Sequence, residues 1–225
     1  MTKQEIKAQA ASLGFVACGV VQAAPVEEPF AAHYLRRVQL GHFAGMDYMT
    51  RHVEMRLQPA LLHPGVQTIV SLALNYMPAR RQPALCLYAQ GEDYHDVMRG
   101  RLRMLMERLG AHGRCFVDTA PVMERYWAWR SGVGTLCRNG LVAVPGYGPT
   151  VFLGELFLEE PCDAFDVPLQ PSPALDEGWQ DFCPALTPQG LDARLCINYW
   201  TIEHRGELPQ ELRLTDTFYE ENNKE

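Results

Sequence analysis

The alternation of apolar and polar positions divides the chain into short helices and strands. Thr2-Lys3-Gln4-Glu5 has capping-box spacing, Ile6, Ala10 and Leu13 then share one helical face, and Gly14 closes the helix. The apolar run from Phe15 to Val21 predicts a buried strand. Pro25 and Pro29 bracket a loop, and residues 30–40 read as a helix that ends at Gly41. Val66 to Leu74 predicts a second buried strand, and Leu85 to Ala89 a third. Met98, Leu102, Leu105 and Leu109 form the apolar stripe of a long helix over residues 93–109, whose other faces carry Arg99, Arg101, Arg103 and Arg108. Residues 114–118 predict a short strand ending in an acid, and residues 120–129 a helix with Pro121 in its first turn. A glycine-containing loop then runs from Gly132 to Asn139, and strands follow over 141–144 and 151–158. Prolines and acids make 161–190 an irregular arm, residues 191–203 lead into a short tail, and 220–225 are expected to be disordered. Strands alternating with helices, without internal repeats, predict an α/β or α+β sandwich.

Composition narrows the class. With 225 residues, 47% hydrophobic and 21% charged, the chain can build a core without disulfide or metal staples. No apolar run reaches the length of a membrane span, and the polar start from Thr2 to Glu5 lacks a secretory pattern, so the expected compartment is the cytoplasm. A net charge of −7 argues against general nucleic-acid affinity. Yet 17 of the 20 cations are arginine, which suits phosphates and carboxylates, although GC-rich coding gives the same bias. Seven cysteines, an odd count without a C-x-x-C pair, exclude a disulfide framework and a standard zinc site. They are expected mostly as small buried hydrophobes.

Candidate chemistry centres on Val117-Asp118-Thr119, which puts a carboxylate at the end of a buried strand beside a helix start. Asp118 there is either a proton-transfer group in a cleft or simply the cap of the following helix. As a donor at neutral pH it requires a cleft that desolvates it. Arg125 lies two turns along and can face the same cleft, or form a surface ion pair. Gly132-x-Gly134 is a weak phosphate-loop signal or a tight turn, and Arg138-Asn139 nearby suits an anionic or amide-bearing ligand. Tyr94-His95 at a helix start could line a pocket or be an ordinary surface pair. No metal-ligand set stands out.

Val117-Asp118-Thr119-Ala120-Pro121-Val122-Met123-Glu124-Arg125 closely resembles the epoxyqueuosine reductase family. The likeness extends in order through Gly45-Met46, Tyr48-Met49, Arg56 with Pro59, Pro64-Gly65, Ala73 to Tyr76, Tyr88 to His95, Ser131 to Gly134, Asn139, and Leu191 to Gly206. The resemblance implies a mixed central sheet flanked by helices, as in cobalamin-processing proteins and reductive dehalogenases. It implies a cobalamin cofactor bound base-off, no histidine standing in a D-x-H-x-x-G context to replace the base. It gives Asp118 as proton donor and Arg125 as a positioning group over the corrin. Tyr94, His95, Gly132, Gly134, Arg138 and Asn139 become cofactor contacts, and tRNA the substrate, with Arg99, Arg101, Arg103 and Arg108 as its phosphate contacts.

The departures from the family pattern concern electron supply. Of the cysteines opening the family's ferredoxin module, Cys183 before Pro184 and Cys196 remain, but Pro173, Asp176 and Trp179 stand at the three earlier positions. Two all-cysteine [4Fe–4S] clusters need about eight thiolates, and the chain has seven, five of them outside the module. The expectation is no iron–sulfur cluster and no ferredoxin domain. Residues 1–160 would be the cobalamin-binding catalytic domain, 161–219 a cluster-free remnant packed on it, and 220–225 the tail. Two functions follow: a reductase fed by an external ferredoxin or flavoprotein, or a non-catalytic corrin carrier or regulator. Neither involves a membrane, and the sequence specifies no oligomeric state.

Overall fold

The computed structural model describes residues 1–78, 82, 86–169 and 183–208. Helix α1 (Lys3–Ser12) starts at Thr2, whose hydroxyl accepts the Glu5 N–H, as the capping box predicts. Strand β1 (Ala17–Gln22) follows, then α2 (Glu28–Gln39), with Pro29 in its first turn rather than in the preceding loop. The N–H that proline lacks is one a helix start leaves unbonded anyway. Two short helices, α3 (Val53–Leu57) and α4 (Pro59–Leu62), lead to β2 (Thr68–Asn75). Next come the long helix α5 (Tyr94–Leu109), β3 (Gly113–Phe116), α6 (Glu124–Arg130), the hairpin β4 (Thr135–Leu136) and β5 (Val142–Ala143), and β6 (Val151–Leu158).

The central sheet runs β1-β2-β6-β3. Every ladder in it is antiparallel, so the α/β class stands but the described sheet is not mixed in strand direction. The reason is topological: β2 and β3 are joined through α5, as in a parallel βαβ unit, but β6 inserts between them and pairs antiparallel with both. Helices cover both faces. Val20, Val70, Leu72, Leu156 and Leu158 point toward α1 and α5, where they meet Ile6, Ala10 and the stripe Met98, Leu102 and Leu105, all fully buried. Each such leucine contributes roughly 1.5–3 kcal/mol of transfer free energy. Val21, Ile69, Phe116 and Phe157 point the other way, against Ala31 of α2 and Tyr126 and Trp127 of α6. Helix α6 lies so close to β1 that a Cβ on Gly19 would come within 2.2 Å of the Ser131 carbonyl oxygen.

Three expected elements differ. The apolar stretch before Ala89 is a single 3₁₀ turn, Leu87–Ala89, and Leu85 lies outside the described residues. That stretch lines the rim of a surface cleft beside α5 instead of joining the sheet. Helix α6 begins at Glu124, not at residue 120, because Pro121 disfavours helical geometry at Ala120, and Val122 N–H instead closes a tight turn on the Ala120 carbonyl, 2.8 Å away. The cysteines are not mostly buried: Cys137 is, Cys86 is exposed, and the other five are intermediate.

Residues 161–169 are irregular as expected, but anchored. The Asp166 carboxylate accepts the Val20 N–H at 3.0 Å and bonds Lys7, while its own N–H reaches the Val20 carbonyl, sealing the open edge of β1. Beyond residue 182 the chain packs on α2 through a hairpin of β7 (Leu186–Thr187) and β8 (Gly190–Leu191), where Arg37 donates to the Leu191 carbonyl and Ala193 N–H to that of His42. The π-helical turn Tyr199–Glu203 then brings the Tyr199 hydroxyl to the Gly45 N–H, 2.9 Å away. Pro173, Asp176, Trp179 and the tail 220–225 lie outside the described residues.

Candidate active site

A cleft of about 180 Å³ opens where the start of α5, the β3–α6 loop and β6 meet. Its walls are Leu141, Val142, Val151, Phe152 and Leu153, and its polar groups are Tyr94, Asp118, Glu124 and Arg125. A second cleft of about 190 Å³ adjoins it and shares Tyr94 and Phe152.

Asp118 stands just beyond β3 with φ of 56°, in the left-handed region where Asp is among the few tolerated side chains. It does not cap α6, whose cap position is Met123. Instead its backbone N–H donates to Glu124 Oε1 at 2.5 Å, and its carboxylate Oδ2 accepts from the Tyr94 hydroxyl at 2.9 Å. His95 Nε2 lies 3.6 Å from the same oxygen. The Tyr94 ring is stacked on Phe152, with centroids 4.2 Å apart and planes within 11°. Burial, and then the adjoining Asp118 carboxylate, raise the Tyr94 phenol, which therefore stays a donor. His95 is fixed in turn by Asp93, the N-cap of α5.

The desolvation expected for Asp118 is absent. Its side chain is 61% exposed. The buried acids lie beneath it. Glu155, in the middle of β6, is fully buried; it bonds Ser71 on the next strand at 3.2 Å, and its Oε2 has no partner. Burial, then the facing Glu124, push Glu155 well above the usual carboxyl range. Glu124 is partly buried at the cleft floor, and its pKa is raised to about 7, mainly by burial; the hydrogen bond from the Asp118 N–H opposes the rise, the Asp118 carboxylate adds to it, and Arg125 and Arg56 oppose it. Arg56 is itself buried, donating to the carbonyls of Tyr48 and Val122.

The other sequence-derived residues divide. Arg125 lines the cleft and donates to the Gly140 carbonyl at 3.1 Å, tying α6 to the hairpin turn. Asn139 accepts the Leu141 N–H within that turn, and Arg138 is exposed on it. Gly132 and Gly134 are not part of the cleft wall. A Cβ on Gly132 would meet the Val167 carbonyl at 2.6 Å, and one on Gly134 would meet Val142 at 2.6 Å, so close backbone packing already accounts for both. Of the α5 arginines, Arg101 bonds the Leu13 carbonyl and Arg108 bonds Ser12, which staples α1 to α5; Arg99 reaches Thr119 at 3.3 Å, beside the cleft. Among the described residues no cluster of three or more His, Cys, Asp or Glu is placed to hold a metal ion, and no helix is long and apolar enough to cross a membrane.

Sequence reasoning missed Glu124, Glu155, Tyr48 and Glu203. Tyr48 is pushed up to about 12, first by burial and then by Glu203 of the π-helical turn. Glu155 had a signal, being the lone acid within Val151-Phe152-Leu153-Gly154-Glu155-Leu156-Phe157-Leu158.

A family model described as "Epoxyqueuosine reductase QueG, DUF1730" matches residues 56–119, which include Tyr94, His95 and Asp118. The epoxyqueuosine reductase of Leadbetterella byssophila is 37% identical over 221 residues, covering 93% of this chain and 72% of that protein. The chain belongs to the epoxyqueuosine reductase family. A crystal structure of an epoxyqueuosine reductase with an epoxyqueuosine-modified tRNA-Tyr stem loop matches with a TM-score of 0.82 at 30% identity, covering 93% of this chain and 59% of that one. A Bacillus subtilis epoxyqueuosine reductase, described as having its catalytic aspartate loop swung out of the active site, matches with a TM-score of 0.78 at 29% identity over 93% of this chain and 59% of that one. A catabolic reductive dehalogenase shares the fold at a TM-score of 0.50 and 16% identity. Against the epoxyqueuosine reductase structures, then, this chain spans somewhat under two thirds of the length.

Proposed function

We propose that the protein is a cytoplasmic epoxyqueuosine-reductase-type enzyme acting on tRNA, with cobalamin as cofactor and electrons from a separate ferredoxin or flavoprotein. The observation that carries this is Asp118, held in a left-handed conformation at the cleft mouth, bonded to Tyr94 and approached by His95. All three lie within the segment that matches the family.

A corrin needs an apolar plate for its ring and polar groups around its amide rim. The residues present fit that need: Leu141, Val142, Val151 and Leu153 form an apolar wall edged by Arg125, and the wall is open rather than enclosed. Tyr94, His95, Arg138 and Asn139 would hold the rim, while Gly134 lets the β4–β5 hairpin close tightly and Gly132 admits the Val167 backbone. When bound there and reduced, cobalamin would supply the electrons that cleavage of the carbon–oxygen bond consumes. Converting an epoxide to an alkene consumes two electrons and two protons and releases the oxygen as water. Asp118, held by Tyr94 and open to solvent until the bound molecules cover the cleft mouth, would then be desolvated and deliver one proton to that oxygen, the second coming from solvent, and Arg125 would orient the bound molecules. Residues 1–160 contain every group of the cleft, which supports reading them as the catalytic unit and the later residues as a remnant packed on it.

Incubating the protein with cobalamin, a chemical reductant and an epoxyqueuosine-containing stem loop should yield queuosine. Cobalamin binding without turnover under any reductant would favour a corrin carrier. The purified protein should contain no stoichiometric iron or sulfide, because Pro173, Asp176 and Trp179 cannot supply thiolates. Arg101 and Arg108 being engaged with α1, tRNA phosphate contacts fall to Arg99 and Arg103, so the salt dependence of binding should be shallow on their account, about one log-log unit per phosphate.

A further inference from the structure

We propose that Glu124 is a positioning residue, a carboxylate latch that seats Asp118 in the cleft through its backbone N–H, and that it loads and releases with pH because the cleft floor partly buries it. The inference deepens the reductase reading and rests on it for its catalytic consequence only.

The geometry is specific. Asp118 has φ of 56°, a left-handed conformation that L-residues rarely adopt and that needs local support. One side of that support is Tyr94, which bonds the side chain; the other is Glu124, which bonds the backbone N–H at 2.5 Å. Within the loop the backbone makes a tight Thr119 N–H to Val117 carbonyl contact and a Val122 N–H to Ala120 carbonyl contact, and from outside it Arg99 reaches the Thr119 hydroxyl and Arg56 the Val122 carbonyl, none of which holds the Asp118 N–H. Glu124 thus fixes the loop from inside the first turn of α6, six residues ahead in sequence.

The groups facing Glu124 decide when it is charged. Asp118 and Tyr94 lie above it, Arg125 beside it on α6, Arg56 on α3, and Glu155 on β6 below. Glu155 has only Ser71 as a partner and an unbonded Oε2 sealed from water, so it resists ionisation, the more so while Glu124 is charged, and the charge on this side of the sheet falls to Glu124. Burial raises Glu124, the hydrogen bond from the Asp118 N–H holds it back, and the Asp118 carboxylate and the two arginines act in opposite directions, so it ionises near neutrality, at about 7. Above that pH the N–H bond is charge-assisted and the latch is loaded; below it the bond is to a neutral acid and weaker.

The test is amide NMR of the full ¹⁵N-labelled chain across pH 5.5–8.5. The Asp118 amide proton should move downfield as pH rises through neutrality, and Glu124→Gln, whose amide oxygen still accepts the bond, should keep the loop seated but abolish that titration. An Asp118 amide that does not titrate near neutrality, or titrates unchanged in Glu124→Gln, overturns the proposal. In turnover, Glu124→Ala should lose about 10- to 100-fold in kcat/KM, the scale of one charge-assisted hydrogen bond. Glu124→Gln should recover most of that loss and flatten the acid limb of the pH profile, an outcome that mere structural damage would not give. If the wild type shows the titration but no reductase turnover, the latch stands and the reductase reading fails.

Discussion

The two faces of the sheet are built from the same strands but to different ends. Toward α1 and α5, β2 and β6 present Val70, Leu72, Leu156 and Leu158, an apolar surface on which the buried Thr68 hydroxyl is satisfied by the Glu160 carbonyl at 2.7 Å. Toward α6, one residue along in register, the same strands present Ser71 opposite Glu155, with Glu124 above. The first face holds the fold together. The second gives up apolar packing to place ionisable groups under the Asp118 loop, and an incompletely bonded buried carboxyl is a cost that stability alone does not explain. The contrast locates function: chemistry sits where the interior is least favourable for charge.

The strongest test of this contrast is Asp118→Asn. Asn tolerates the left-handed conformation, so fold and cobalamin binding should survive while turnover with a chemical reductant falls by roughly 10²- to 10⁴-fold, the contribution of a positioned acid. Retained turnover would leave Asp118 a loop residue only. On the opposite face, Leu102→Ala should cost about 2–5 kcal/mol in denaturant unfolding and leave the activity of the remaining folded protein near wild type. A comparable drop in activity per folded molecule would show that the faces are not separable.

A smaller effect belongs to Glu155→Gln. The folded-state pKa of Glu155 lies well above that of an exposed glutamate, so the folded protein binds the proton more tightly than the unfolded chain. The Glu155 contribution to stability should therefore be greatest below the ordinary glutamate range and decline as pH rises toward the folded value. Urea unfolding at a series of pH values should show that decline reduced in Glu155→Gln. Identical slopes would mean that Glu155 is not ionising against its surroundings. The smallest effect is expected from Arg138→Gln, on the exposed hairpin turn, which should weaken cobalamin binding by calorimetry without altering unfolding.

Much of this was legible in the sequence because it depends on local periodicity and short-range chemistry. The α5 stripe, the capping box at Thr2 and the apolar run of β6 each appear where the spacing put them. The Val117–Arg125 segment, with its in-order likeness elsewhere, was enough to point to the family. Only the tertiary structure decided how the site is wired. Asp118 was expected to be either a helix cap or a desolvated acid, and it is neither: it is exposed and strained, tied to Tyr94 from 24 residues earlier in the chain. Gly132 and Gly134 read as a ligand loop because sequence cannot distinguish a glycine that admits a ligand from one that admits a neighbouring backbone. Glu155 meets Ser71 across 84 residues, and their pairing depends on β6 inserting between β2 and β3. Strand order is fixed by long-range packing that no local pattern encodes, so the sequence determined which chemical groups were available and the fold determined which of them meet.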